Sequence, residues 1–428
     1  MDLGTAAVVA AIVLAASMLS VELALSVAVV EIIFGVVAGN AFDLGRPQWL
    51  AFLATLGSVV LTFQAGAEID TAAMRRTLVP SAAIGLASFA APFLGALFAC
   101  RYLAGWTWRA AEIGGVALST TSLAVVFAVI VEMGLSDTDI GQLLLSATFV
   151  TDLATVTALS LLFITPSWWL VPFVAVSVLF IVAMPRIDEF FFTRYGNRVI
   201  EPEIKWVLAA LLVLMWLGDR AHSQAVLPAF VLGLALSKTF AAHKEVARRF
   251  RTLAFAGLTP FFFINSGMKV SLPLVWSNLG LLALLLAVKL TCKGAAVYPL
   301  ARRWAKPHAM FATLLMSTGL TFGTISATYG FTAGIVTRAQ FSVLICVVVV
   351  SAVVPTTIAQ RLFVPHTEDA RERAEQLEDE DEVARPRRHL TPPHPGPAAL
   401  PAAEDGHRGG EKPVGIPAEP RHPRQVDK

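Results

Sequence analysis

The sequence predicts an all-α polytopic membrane protein with about 13 transmembrane helices. Three observations carry this. The composition is 56% hydrophobic and only 15% charged, with a mean hydropathy of +0.68, which excludes a soluble globular protein. The charges are segregated: up to residue 364 they fall between apolar runs, and from Pro365 onward they dominate. The runs are long and continuously apolar, which suits bilayer helices and not the alternating strands of a barrel.

Windowed hydropathy places the spans at approximately 4–19, 22–40, 48–66, 78–100, 111–131, 139–163, 167–184, 203–218, 224–238, 253–267, 278–300, 309–329 and 338–360. The first has no basic segment before it, so it is expected to be a retained span and not a cleaved signal peptide. Cys100, Cys292 and Cys346 lie within or at the ends of spans, with neither metal-ligand nor disulfide spacing, and read as small core residues. With the N-terminus outside, the inner loops receive fifteen Lys and Arg between Arg75 and Arg361. The outer side then receives six: Arg46, Arg101, Arg109, Arg220, Lys269 and Arg338. That bias predicts an outside N-terminus and a cytoplasmic C-terminus in a plasma membrane.

An odd number of spans has a topological consequence. If the seventh (167–184) is a linker, the six before it (4–163) and the six after it (203–360) enter the membrane from opposite sides, the arithmetic of an inverted repeat. Positions within the two halves agree. Span five has Ser119-Thr120 in LSTTSLAVV, and span twelve has Ser317-Thr318 in MSTGLTFGT; Gly134 and Gly330 follow at similar distance. Stretches so rich in Thr, Ser and Gly either break their helices toward a cavity or permit close helix packing. Their corresponding places in the two halves favour breaks. Residues 365–428, an acidic run followed by a Pro-, Arg- and His-rich segment, are expected to form a disordered cytoplasmic tail. The tail carries no GxGxxG after a strand, so no nucleotide-binding domain is expected there.

Asp152 is the organising residue. It lies near the middle of span six, where a carboxylate costs about 2.5–3.5 kcal/mol on insertion scales and usually marks function. Burial favours the protonated carboxyl and a bound cation favours the carboxylate, so such a group can hold a proton or a monovalent cation in turn. Thr151 and Thr155 flank it. The Thr155 hydroxyl is expected to bond to its own backbone, while Thr151 stays open between that and ion ligation. Lys289 sits equally deep in span eleven and is too central to snorkel easily, so it needs a partner or must be neutral much of the time. Pairing with Asp152 would make an arriving cation displace an ammonium. Lys293, one turn nearer Arg302 and Arg303, is expected to snorkel toward the cytoplasm.

Other polar groups carry less. Glu68 and Asp219 are expected at solvated helix ends; Glu31, Gln64 and Asn265 lie within or near spans, with Glu31 deep and unexplained. The histidines have no zinc spacing, and there is no HExxH or Ser-His-Asp arrangement. His222 near Asp219 is all that a hydrolase reading has, so the chain is not expected to be an enzyme.

These residues carry a resemblance. The stretches 121–134, 30–40, 61–70, 217–237 and 261–268 resemble, in order and spacing, the monovalent cation:proton antiporter-2 family across about residues 20–360. The resemblance implies a cation/proton antiporter fold: a 6+6 inverted repeat with a linker helix and two crossed discontinuous helices. It also implies a dimerising panel domain and a core domain moving in an elevator-like way. Asp152 matches the ion-binding position of the family's acidic pair and Lys289 its tenth-helix lysine. Thr121 and Ser122 match the break in the first crossing helix, and Thr318, Gly319 and Thr321 fall in the second. Two departures stand out. Thr151 occupies the first position of the acidic pair, and Gly319-Leu320 stands where many members have Gly-Glu.

Exchange of Na⁺ or K⁺ for H⁺ is the activity that the resemblance implies, with one carboxylate favouring an electroneutral cycle. Implied partners are the ions, membrane lipid and a second copy of the chain, with no cofactor and no nucleic acid. A potassium efflux protein of the glutathione-gated type lacking its regulatory domain, or a non-transporting sensor or scaffold using the tail, are the competing readings.

Overall fold

The computed structural model describes residues 3–23, 25–41, 47–69, 77–136, 138–164, 166–195, 201–221, 223–363 and 365. The tail from 366, the loop residues Arg46, Arg75, Arg76 and Arg198, and His222 lie outside the described residues. Among those described, all regular structure is helical. The expected spans fall largely on helix, and nine helical stretches among the described residues are long and apolar enough to cross a membrane.

In chain order the helices are α1 (Leu3–Leu23), α2 (Val27–Ala41), α3 (Gln48–Ala67) and α4 (Leu78–Phe98), the last continuing through a π turn at Ala99–Leu103. Span five divides into α5 (Trp108–Ser119) and α6 (Leu123–Glu132). Then come α7 (Asp139–Leu162), α8 (Leu170–Tyr195), α9 (Pro202–Arg220) and α10 (Val226–Ala242). A short basic helix α11 (Lys244–Thr252) leads through a π turn into α12 (Thr259–Lys269) and α13 (Leu272–Trp276). The chain continues with α14 (Leu279–Trp304), the divided span twelve as α15 (Ala309–Met316) and α16 (Thr321–Thr332), and α17 (Arg338–Leu362).

Two sets of helices emerge from the packing. One joins α2 and α3 to α12 and α10; the other joins α4, α5 and α7 to α14, α15, α16 and α17, while α8 packs on α9 and α10. The first set depends on close backbone approach. A Cβ on Gly66 would overlap the Phe230 carbonyl, and one on Gly233 would overlap that of Phe63, so α3 and α10 meet main chain to main chain. The two sets touch through aromatic rings. Phe230 on α10 stacks on Phe149 of α7 at 5.7 Å and meets Phe322 of α16 edge-on at 6.0 Å. A hydroxyl contact, Ser266 to Thr328 at 3.1 Å, joins α12 to α16.

The interruptions are local in origin. Three consecutive hydroxyl residues, Thr120-Thr121-Ser122, offer the backbone alternative partners. Thr120 and Ser122 adopt extended conformations (φ −64°, ψ 150° and φ −105°, ψ 108°). The second interruption, Ser317 to Leu320, contains Gly319 and ends on Leu320 at φ −142°, ψ −71°. Beyond them the two segments finish alike. Gly134 and Gly334 both take positive φ (65° and 70°). The following residues, Leu135 and Ile335, donate back to Ile130 and Gly330 at 2.8 Å each. Thr138 and Thr337 then cap α7 and α17, accepting from Gly141 and Gln340. Gly334, and not Gly330, thus shares the positive φ of Gly134; Gly330 lies inside α16, where a Cβ would press on Ile113.

Candidate functional site

The two interruptions meet each other. Thr121 Oγ1 donates to the Met316 carbonyl at 3.0 Å, and the Ser122 amide reaches Thr318 Oγ1 at 3.5 Å. Thr318 Oγ1 itself donates to the Leu315 carbonyl at 2.8 Å. Gly319 lies against the first break: a Cβ there would stand 2.8 Å from both the carbonyl and the hydroxyl oxygen of Thr120 and would overlap Lys289 Nζ. Only glycine fits between the two. Thr120, Thr121, Ser122 and Thr318 are all fully buried, and Thr321 at the start of α16 is nearly so.

Asp152 reaches this region along α7. Thr148, one turn earlier, donates to Met316 Sδ at 3.6 Å, and Phe149 faces the other helix set. Asp152 is 1% exposed, and its Oδ1 has no hydrogen-bond partner. Ser122 Oγ and Thr324 Oγ1 are likewise buried without partners. Buried polar atoms without a protein partner are scarce in folded proteins, and each calls for a water, an ion or a proton to complete it. Thr151 points elsewhere, donating to the carbonyls of Gly85 and Ala147 at 3.1 Å each, so its hydroxyl serves the α4–α7 contact. Thr155 bonds back to Thr151 at 2.8 Å, the local pattern expected of it.

The lysines are arranged differently from the sequence expectation. Lys289 donates to Ser351 Oγ on α17 at 2.8 Å, not to Asp152. Lys293 does not snorkel; it is 0% exposed and surrounded by oxygens of both interruptions. The physical reason is that the breaks present carbonyls with no helical partner, a better destination for an ammonium than the distant surface.

Among weaker candidates, Glu68 sits at the end of α3, paired with Arg251 at 2.8 Å and accepting from Gln64 at 2.8 Å. Asp219 is exposed on the last turn of α9. Glu31 and Asn265 are buried. Sequence reasoning missed Ser88 and Ser351. Ser351 had a signal: it is the lone hydroxyl in VVVVSAVV. Ser88, one of several small residues in α4, had none.

Two interrupted helices that meet beside buried charges, in a chain with nine helical stretches long and apolar enough to cross a membrane among the described residues, are the arrangement by which secondary transporters build ion sites. The match of the family described as sodium/hydrogen exchanger, transmembrane, runs over residues 5–364, and the chain belongs to that family. It is 22% identical over 330 residues to the probable Na(+)/H(+) antiporter 3 of Methanocaldococcus jannaschii, covering 74% of this chain and 84% of that one. It is 22% identical over 367 residues to the putative Na(+)/H(+) antiporter YjbQ of Bacillus subtilis, covering 80% of this chain and 60% of the relative. With the cation/H(+) antiporter 18 of Arabidopsis thaliana it shares 26% over 337 residues, and spans 42% of that protein. Among solved structures, the sodium proton antiporter MjNhaP1 of Methanocaldococcus jannaschii at pH 8 has the same fold. Its TM-score is 0.65 at 10% identity, over 86% of this chain and all of that one.

Proposed function

We propose that the chain exchanges a monovalent cation, Na⁺ or K⁺, for H⁺ across a prokaryotic plasma membrane, with Asp152 as the carrier. The observation that carries this is the fully buried Asp152, with an unpartnered oxygen, beside two interrupted helices. Its carboxylate holds the cation and its carboxyl the proton. Ser122 Oγ and the freed oxygens near the breaks complete the cation's shell, with Thr318, Gly319 and Thr321 forming the second wall. Thr151 contributes by fixing α7 against α4 and not as a ligand. Lys289, held by one hydroxyl, is the freer of the two positive charges and is the charge that competes with the cation.

The helix set of α4, α5, α7 and α14–α17 is the core that moves, elevator-like, against the panel of α2, α3, α10 and α12. The sparse contacts through Phe230, Phe149 and Phe322 support a sliding boundary there. The alike endings at Gly134–Thr138 and Gly334–Thr337 support a 6+6 inverted repeat with α8 as linker. The N-terminus is outside, the tail cytoplasmic, and the panel pairs two copies. One carboxylate at the crossing makes the cycle electroneutral.

Purified protein in proteoliposomes tests this. An imposed pH gradient is expected to drive Na⁺ or K⁺ uptake at a rate that does not change when the membrane potential is clamped, with a permeant anion in place of an ionophore for the cation being measured, or left free. Absence of cation-coupled proton flux would remove the reading, and a potential-dependent rate would remove its electroneutral part.

A further inference from the structure

Lys293 is held in an unusual way. Its Nζ lies 2.7 Å from the Met316 carbonyl, 2.8 Å from the Thr120 carbonyl, 2.8 Å from Thr121 Oγ1 and 3.1 Å from Ser88 Oγ. All four residues contributing these oxygens are fully buried, as is Lys293 itself. The two carbonyls close the helix halves α5 and α15, where the chain leaves helical geometry and no amide four residues on takes them up. Thr121 gives its own proton to the Met316 carbonyl, so its lone pairs are turned toward the ammonium. The cage therefore holds one cationic nitrogen within four neutral oxygens, and it contains no carboxylate.

Rings of backbone carbonyls and hydroxyls with no acidic member are how proteins replace the hydration shell of large monovalent cations. The N···O distances here are longer than the about 2.3–2.6 Å at which a more compact cation such as Ca²⁺ draws in its oxygens. We propose that the cage is a monovalent-cation site of ammonium or potassium size, which the chain fills permanently with the tethered ammonium of Lys293. Its occupant pins the two interruptions together. The site is distinct from Asp152, which is not among its ligands, so its occupancy does not depend on whether Asp152 is the carrier. Lys289 provides the internal contrast: its ammonium donates to Ser351 and has no such cage.

Lys293→Ala opens the cage while keeping its oxygens. Thermal unfolding of the full chain in detergent is followed in ammonium, methylammonium, potassium, lithium and choline chlorides at equal ionic strength. The variant is expected to unfold about 5–10 °C below the wild type in choline, because a buried hydrogen-bonded charge network has lost its centre. Ammonium restores much of that loss saturably and potassium part of it, as for any ligand bound only by the folded state. Lithium restores none beyond its effect on the wild type. The wild type and Lys289→Ala show only the response that cation binding at Asp152 gives, the same in both, and the recovery of Lys293→Ala is read as the excess over it. A Lys293→Ala protein whose unfolding is the same in every salt overturns the proposal, as does an equal ammonium response in Lys289→Ala. If Lys293→Ala is too unstable to purify in choline, the readout becomes recovery of monodisperse protein from membranes extracted in ammonium or choline. Equal recovery overturns the proposal.

Discussion

Asp152→Asn is expected to reduce cation-coupled proton flux in proteoliposomes to that of empty vesicles while leaving the protein folded. Asparagine matches aspartate in shape and keeps an oxygen for a cation, but it can neither take nor release a proton at accessible pH. The stability side of the prediction has the opposite sign. A carboxylate buried without a full set of partners opposes folding, so removing its charge is expected to hold or raise stability, by an amount on the order of 1–3 kcal/mol. Flux assays beside thermal unfolding read both arms. A variant that is dead because it is unfolded would not satisfy the prediction, and one that still exchanges would end the carrier role.

The second large effect is expected at Gly319. Its Cα faces the Thr120 carbonyl and hydroxyl across the crossing, with Lys289 Nζ closing the remaining space. In Gly319→Ala the new methyl group meets two obstacles of different kinds. Lys289 is the far end of a flexible side chain and can retreat from Ser351, whereas the Thr120 backbone is fixed by the cage around Lys293. The two interruptions are pushed apart, at an overpacking cost of about 1–3 kcal/mol. Because the displaced atoms are those that line the crossing, exchange is expected to fall by more than stability: a drop of about tenfold or more in flux from a shift of an ångström or less at the site. Combining it with Lys289→Ala removes one obstacle and not the other, so recovery in the double variant should be incomplete. Flux and unfolding measured on the single and double variants check this; full recovery would mean that Thr120 yields.

The spans were legible because bilayer helices announce themselves as apolar runs, and Asp152 because a lone carboxylate in such a run is conspicuous. The two interruptions could be read from Ser119–Ser122 and Ser317–Gly319, whose hydroxyls and glycine weaken helix on their own. The lysines could not be assigned the same way. Lys289 and Lys293 share a helix face, and which one enters the crossing depends on where α4 and α17 bring Ser88 and Ser351, a tertiary fact with no local signal. Snorkelling was a fair expectation for Lys293 from depth alone; carbonyls released by helix breaks on two other segments reversed it. Thr151 was undecided for a related reason. Its hydroxyl had a choice between the crossing and a neighbouring backbone, and the close approach of Gly85 on α4 decided for the backbone. Gly330, which matches Gly134 in spacing, lies within a helix while Gly334 takes the positive φ, since a glycine inside a helix and one closing it look alike until φ is known.

Competition between proton and cation for one carboxylate is most directly tested by initial exchange rates in proteoliposomes across a series of pH values and cation concentrations. If Asp152 is a shared seat, the apparent KM for the cation rises about tenfold for each unit of acidification once the proton outcompetes it, while the limiting rate at saturating cation stays constant. A KM that does not move with pH while the limiting rate falls would mean that proton and cation occupy separate groups, contradicting the account.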